Sequence, residues 1–519
     1  MHITLIRPPI FSSIGSFSAP VTPPLALAYL SASLKKDRLS VESIDAVGEA
    51  MDQIHLLKNP EGRVRGLPIE KILQRIPTET NLIGISCMFS QEWPFVKSLV
   101  EAIALKFPDI PLVLGGEHIT AMPEFVLESC PNVDICVLGE GEETIVDVAK
   151  NYPKNAKSIH GILYRSKNGE IVRTNRRKRI RNIEQIPRPN WEDLPIESYL
   201  ESGYGAGINT GRTMPILATR GCPYQCTFCS NEQMWGLNYY TRSPQDVIDE
   251  IKEYIQNYKI DSVDFYDLTA IIKKDWILEF GTLLKKTGTN ISWSLPSGTR
   301  SEALDPEVTR LMAETNCKYL VYAAESGSQK ILRSIKKKVD LTNMISSMKR
   351  AKQNGLSLRC NLMLGFPNED RVDVFKTLVF QIKLAIIGVD DAPLYAFSPY
   401  PGTELFNALI NKKRIKITDE YFQSLACQMD LSKSSNLCEK IGPKELVLYR
   451  IIGMSLFYIL SYLLYPRRII RSIRNIFFTF KTDTVFEQRV VEYFKTQKAS
   501  KLRMRFLFRI LWKKLTTAE

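Results

Sequence analysis

Two patterns alternate over residues 1–150. Short apolar runs at His2–Ile6, Val41–Asp45, Leu82–Cys87, Pro111–Gly115 and Asp134–Gly139 have the length of buried parallel strands. Stretches with helical spacing separate them, at Pro24–Lys36, Gln91–Lys106 and Pro123–Ser129, and Glu143–Asn151 follows the last. This alternation predicts an α/β domain with a doubly wound parallel sheet. Such sheets bind ligands at the carboxyl ends of their strands. Those ends read Arg7-Pro8-Pro9, Ser86-Cys87-Met88-Phe89-Ser90, Gly115-Gly116-Glu117-His118 and Gly139-Glu140-Gly141-Glu142. Glycine allows close approach of a backbone. The two glycine ends therefore suit a large flat guest, or equally well tight turns with no ligand.

Residues 151–210 read as a connector. Gly161–Arg173 predicts a hairpin turning at Asn168-Gly169. The run Arg176–Arg181 reads as a solvated linker more readily than as a phosphate site. From Thr213 the alternation resumes, with six strands starting near Pro215, Ser262, Ile291, Lys318, Ser357 and Val389. A strand–helix unit takes roughly 30 residues, and a full eightfold barrel about 250. Six units predict an incomplete barrel, open at one side.

Composition narrows the class. The chain has 519 residues, 44% hydrophobic and 24% charged, which excludes a disordered chain, a collagen-like fibre and a polytopic membrane protein. Ten cysteines are too sparse for a secreted disulfide scaffold. The start, Met1–Ile10, lacks the charged region of a signal peptide, so a cytoplasmic protein with reduced thiols is expected. Net charge is +13, yet Pro466–Glu519 alone holds 14 Lys/Arg against 4 Asp/Glu. The basicity belongs to the tail.

The sharpest motif is Cys222-Pro223-Tyr224-Gln225-Cys226-Thr227-Phe228-Cys229, directly after the first strand of the second block. Three thiolates on one loop call for a metal centre with soft ligands. Zinc needs a fourth ligand, and none of His2, His55, His118 or His160 lies near in sequence. Cys317 or Cys360 could supply one. An iron–sulfur cluster on three cysteines leaves one iron open and reactive.

The CxxxCxxC loop, with Phe228 before its last cysteine, resembles that of the radical S-adenosylmethionine (radical SAM) superfamily. The resemblance implies a 4Fe–4S cluster on Cys222, Cys226 and Cys229, with S-adenosylmethionine on the open iron. It also implies a partial six-strand β/α barrel. Further matches follow in order. Tyr240–Pro244 and Asp246 resemble the segment after the loop. Phe265-Tyr266-Asp267 resembles the second-strand end, although Leu268 replaces a second acid. Gly298-Thr299-Arg300 ends the third strand, Glu325-Ser326-Gly327-Ser328 the fourth, Leu364-Gly365-Phe366-Pro367 the fifth, and Pro399–Thr403 the sixth. As cofactor-contacting positions the resemblance implies Phe228, Asp267, Gly298, Arg300, Glu325, Ser326 and Gly365.

Pro23–Leu30 and the two glycine ends resemble the cobalamin-binding domain that precedes many radical SAM enzymes. This implies cobalamin contacts from Ser86, Gly115, Gly116, His118, Gly139, Glu140 and Gly141. The Asp-x-His-x-x-Gly signature of domains that ligate cobalt through histidine is missing. His118 is therefore expected to line the pocket rather than bind cobalt.

The organisation expected is 1–150, a Rossmann-like cobalamin-binding domain; 151–210, a connector; 211–430, the radical SAM barrel; and 431–519, a helical basic extension. The resemblance, which includes hopanoid methylases and the anaerobic magnesium-protoporphyrin ester cyclase, implies a C-methyltransferase working through a 5′-deoxyadenosyl radical. A cyclase or oxidoreductase of the same architecture is the alternative. A cobalamin or iron–sulfur sensor without turnover is the rival from another class. The implied partners are a hydrophobic or lipid-like small-molecule substrate and an external electron donor such as flavodoxin or ferredoxin.

In the tail, Ile451–Tyr465 carries no charge but is shorter than the ~20 residues of a spanning helix. Ile469–Phe480 and Leu502–Trp512 interleave Arg with large apolar residues, a pattern suited to anionic membrane surfaces. Peripheral membrane binding through residues 466–519 is expected. The alternatives are packing on the barrel and, less favoured, nucleic acid.

Overall fold

The computed structural model describes residues 1–16, 21–58, 61–270 and 272–496. Leu502–Trp512 lies outside the described residues. The first sheet has seven strands: β1 (His2–Arg7), β2 (Ser40–Asp45), β3 (Leu82–Ser86), β4 (Leu112–Gly115), β5 (Ile135–Val137), β6 (Ile162–Arg165) and β7 (Ile171–Arg173). Their order is β7-β6-β5-β4-β3-β1-β2. β1 to β5 are parallel and doubly wound, as the alternation predicts. The Asn168-Gly169 hairpin forms with Arg165 opposite Ile171, and it adds two antiparallel strands to the edge of this sheet. A small three-stranded sheet of Ile10–Ser12, Ile54–Lys58 and Glu61–Arg65 has no counterpart in the apolar pattern.

The second sheet contains β8 (Thr213–Ile216), β9 (Ser262–Phe265), β10 (Ser292–Thr299), β11 (Cys317–Glu325), β12 (Ser357–Leu364) and β13 (Leu394–Ala396). All six are parallel and in sequence order, and β8 does not pair with β13. This is the open barrel expected. The sixth strand starts at Leu394, not near Val389. Asp390 and Asp391 are drawn instead into contacts with Lys352, the Leu358 N–H, Tyr458 and the Val485 N–H.

The connector binds the two sheets together. Arg7 donates to the Tyr199 hydroxyl (2.8 Å), which donates to Asp45 (2.5 Å). One apolar core, from Ile6 to Phe457, runs through both halves. The basic run is not simply solvated. Arg177 pairs with Glu143 and Asp147, and Arg179, nearly buried, pairs with Glu140 at 2.8 Å.

The C-terminal segment also departs from expectation. The uncharged stretch is the end of a 22-residue helix, Pro443–Leu464, long and apolar enough to cross a membrane by length and composition. One face of it packs on the barrel instead. Arg450, 1% exposed, donates to the carbonyls of Leu394, Asp430 and Lys433. Beyond it, Arg468 and Arg471 reach Asp390, Thr482 accepts from the Asn209 N–H, and Gln488 donates to the Gly203 carbonyl. Residues 467–496 thus cover the amino ends of β8, β12 and β13. Four basic residues of the tail (Arg468, Arg471, Arg489 and Lys495) serve packing.

Candidate functional site

The loop that carries the three cysteines is fixed at its base. Thr219–Arg220 pairs antiparallel with Tyr240–Thr241. Asp267, buried at the end of β9, accepts from the Thr219 hydroxyl (2.5 Å) and the Ala218 N–H (3.1 Å). Burial raises the Asp267 carboxyl to about 6 against these hydrogen bonds. Its contacts make it an anchor of the loop rather than an open ligand. Gly221 follows with φ +90°, and a Cβ there would stand 2.1 Å from the Asn238 carbonyl oxygen. Only glycine fits this turn.

Of the ten cysteines, Cys222, Cys226 and Cys229 are the three that are not buried. Cys317 and Cys360 are enclosed within β11 and β12. Among the described residues no three His, Cys, Asp or Glu groups sit close enough to hold a single metal ion. Three thiols spaced along one loop fit a polynuclear cluster, in which each sulfur serves a different iron. The surrounding chain desolvates the Cys226 and Cys229 sulfurs although both side chains still reach the surface, which pushes their thiols up, a bias that bound metal reverses.

Charged groups from the neighbouring strand ends meet this loop. The Arg300 guanidinium lies 3.8 Å from the centre of the Tyr224 ring. Glu325, with φ +65°, accepts from Lys337 at 2.9 Å. Burial works against the Lys337 ammonium, but the Glu325 carboxylate outweighs it and keeps it charged. Phe228 packs on Phe366 with ring centres 6.1 Å apart, joining the loop to the end of β12 beside Gly365. Gly298, at φ +129°, has nothing nearer its Cβ position than Ala323 at 4.0 Å, so it leaves open space. Ser326 differs. Its hydroxyl is buried against Thr377 (3.0 Å) and the Ser328 N–H (3.1 Å), the structural turn of an ordinary Glu-Ser-Gly.

A cavity of about 320 Å³ lies between the two halves. The first sheet lines it with Ser86, Gly115, Gly116, Gly139, Glu140 and Gly141. The barrel lines it with Leu217, Gly221, Met234, Trp235, Tyr266 and Leu268. The glycines play different parts. A Cβ on Gly115 would meet only Val137 at 3.8 Å, whereas one on Gly116 would strike the Cys87 carbonyl oxygen at 2.5 Å. Gly115 leaves room for a guest, while Gly116 is required by a tight turn. Glu140 faces two arginines, Arg179 (2.8 Å) and Arg220 (3.2 Å), and Arg220 also holds Glu142 (2.5 Å) below the usual carboxylate range. Its contacts make Glu140 a fastener between the halves.

His118 does not line the cavity, contrary to expectation. It is 1% exposed, packed between Trp93 (5.3 Å) and Phe422 (5.2 Å), with Nδ1 against the Ser90 hydroxyl. Burial lowers its imidazole to about 3. Among the described residues no histidine lines the cavity. The donor set therefore fits cobalamin held without a protein imidazole.

Lys337 carries no signal in the sequence pattern, since it sits in the run Lys336-Lys337-Lys338 and reads as surface charge. Met234 and Trp235 are equally unmarked, Arg179 reads as part of the solvated run Arg176–Arg181, and Arg220 stands beside the cysteine motif with no role of its own.

The radical SAM superfamily model matches residues 216–380, and the B12 binding domain model matches residues 14–149. The chain is 30% identical over 413 residues to an uncharacterized methyltransferase, PH0819, of Pyrococcus horikoshii, covering 79% of this chain and 83% of that one. It is 27% identical to cytidylyl-2-hydroxyethylphosphonate methyltransferase of Streptomyces wedmorensis, covering 75% and 78%. It is 24% identical to the anaerobic magnesium-protoporphyrin IX monomethyl ester cyclase of Rubrivivax gelatinosus, covering 81% and 72%. The fold is similar to that of TsrM from Kitasatospora setae, a radical S-adenosylmethionine methyltransferase solved with cobalamin and a [4Fe-4S] cluster. That match has TM-score 0.65 at 13% identity over 96% and 99% of the two chains.

Proposed function

This chain belongs to the cobalamin-dependent radical SAM enzymes, and we propose that it methylates an unactivated carbon of a hydrophobic small molecule. The observation that carries the reading is the cavity lined by both halves, with the cysteine loop rooted in its wall at Gly221. When bound, the cluster with S-adenosylmethionine supplies one-electron abstraction of hydrogen, and cobalamin supplies the methyl group.

The chain's own residues hold and shield. Cys222, Cys226 and Cys229 would hold the cluster. Gly298, Arg300, Glu325 and Gly365 would border the loop, Phe228 within it packs on Phe366, and Asp267 keeps the loop's base in place. Gly115, Gly139, Gly141 and Ser86 would receive the corrin, and Met234, Trp235, Tyr266 and Leu268 exclude water from the side facing the barrel. Arg220 and Glu140 clamp the halves together beside the cavity, at the base of the cysteine loop. An external donor of the flavodoxin or ferredoxin class would deliver electrons to the cluster in the cytoplasm.

Anaerobic reconstitution with reductant and S-adenosylmethionine tests the reading. Release of 5′-deoxyadenosine, together with a product heavier by one methyl in host extracts, is expected. A product of unchanged carbon count would favour the cyclase, and absence of 5′-deoxyadenosine would favour a sensor.

The outer face of helix Pro443–Leu464 supports a peripheral membrane contact. Leu448, Ile451, Ile459 and Leu463 are exposed there, with Ile470 beyond, and Arg467 and Arg474 stand nearby without ion pairs among the described residues. This shifts the proposed contact from the basic tail alone to the helix face and its flanking arginines. Flotation with anionic vesicles at low salt should recover the protein, and Leu448→Glu/Ile459→Glu/Leu463→Glu should release it. Protein that never floats, or a variant that floats equally, refutes the contact.

A further inference from the structure

A second cavity, of about 650 Å³, opens where the chain leaves β13 at Ser398 and Pro399. Ser434 lines it, and its hydroxyl is 4.0 Å from the Cβ position of Gly365. The cavity therefore adjoins the carboxyl ends of β12 and β13, the end of the barrel at which Phe366 meets Phe228 of the cysteine loop.

Its lining has two characters. Ile415, Leu425, Leu437 and Val447 form apolar walls. Arg414, Lys416, Lys433 and Lys444 ring it, and no carboxylate lines it among the described residues. None of these four cations forms an ion pair among the described residues, and Arg414 donates to the Asn436 carbonyl (3.4 Å). Asp430, close to Lys433, is buried and accepts from Ser13 and Ser432. Glu420 lies within Coulomb range of Lys416 but outside the lining. The Ser434 hydroxyl is enclosed and has no partner. The four cations are solvent-exposed and repel one another weakly, and the hollow they ring carries a net positive charge. A bound anion would turn that repulsion into charge-assisted hydrogen bonds.

We infer that this cavity binds the anionic head, phosphate or carboxylate, of an amphiphilic substrate whose apolar body lies on Ile415, Leu425 and Val447. The inference rests on the reading of the chain as an enzyme for a hydrophobic small molecule, and it adds the charge that the substrate carries.

Calorimetry of the full chain with dodecyl phosphate below its micelle concentration tests it, with inorganic phosphate and neutral dodecyl glucoside as comparisons. Dodecyl phosphate should bind at one site per chain, and Lys416→Ala/Lys433→Ala should weaken it about tenfold. A control pair outside the cavity, Lys349→Ala/Lys376→Ala, should leave binding unchanged. Equal loss in the control, or no loss in the cavity variant, overturns the site. Inorganic phosphate bound as tightly as dodecyl phosphate overturns the amphiphile and leaves a small free phosphate as the ligand. Dodecyl glucoside bound as tightly as dodecyl phosphate overturns the anion. Binding is read without turnover, so any of these failures leaves 5′-deoxyadenosine release as a separate test of the methylase reading.

Discussion

At the ends of β4 and β5, glycines leave room. Gly115 has only Val137 near its Cβ position, and the walls opposite are Leu217, Met234 and Trp235. At the ends of β9 to β11 the chain offers charge instead, with Asp267 on Thr219, Glu325 on Lys337, and Arg300 on Tyr224. The two faces work by different means: the glycines line the cavity, and the cavity reaches the cysteine loop only at its base, Thr219, Arg220 and Gly221. The first selects by shape, as suits a broad flat ring. The second sets polar groups around a short loop, as suits a charged cluster and a zwitterionic cofactor. The contrast teaches that substitutions should separate the two functions, with bulk disabling one face and loss of ligands or charge disabling the other.

The largest effect is expected from Cys222→Ala/Cys226→Ala/Cys229→Ala. Iron should fall from about four atoms per chain to none, with cobalamin retained. Iron analysis beside the cobalamin absorption spectrum checks this, and loss of both together would break the contrast. Next comes Glu140→Ala, which leaves Arg179 and Arg220 facing an emptied site. A buried pair broken on one side costs about 3–5 kcal/mol, and because Arg220 keeps Glu142 (2.5 Å) the loss should fall at the lower end. Denaturant unfolding should read a loss in that range, and a change under about 1 kcal/mol would mean that the halves do not depend on this clamp.

A matched glycine pair sharpens the shape argument. Gly115→Val should weaken cobalamin at least about tenfold with little change in stability, because its Cβ position is open. Gly116→Ala should cost about 1–3 kcal/mol of stability, from its φ of +115° and the Cys87 carbonyl. Melting curves and cobalamin titration of both variants would expose a reversed order.

The smallest effect concerns His118. Its folded-state value, about 3, lies below the unfolded one, so the unfolded chain binds more protons between those values. Stability is full above about pH 6.5 and is lost as pH falls. At pH 5 the loss is about 2 kcal/mol, and His118→Leu should remove that part of the acid slope. An unchanged slope between pH 7 and 5 in the variant contradicts the buried neutral imidazole.

Most of the frame was legible because burial leaves a simple trace. Fully buried parallel strands read as apolar runs, the Asn168-Gly169 turn reads as a hairpin, and three cysteines on a loop read as a metal centre. What escaped was charge used inside the fold. Arg450, Arg468 and Arg471 read as a boundary and a basic tail, yet their partners are backbone carbonyls and acids brought close only by folding. Lys337 and Arg179 sit in runs of like charge for which solvation is the ordinary expectation. His118 followed two glycines and read as a pocket residue. Its direction was set by Trp93 and Phe422, far away in sequence.

Cobalamin held by the shape of the first domain, without a protein imidazole on cobalt, would sit inside a cavity that the barrel closes. Electron paramagnetic resonance of the Co(II) form of the reconstituted full-length protein tests this directly. The account predicts cobalamin retained at one per chain, with no hyperfine splitting from a protein nitrogen. Splitting from a histidine nitrogen, or a chain that retains no cobalamin, would contradict it.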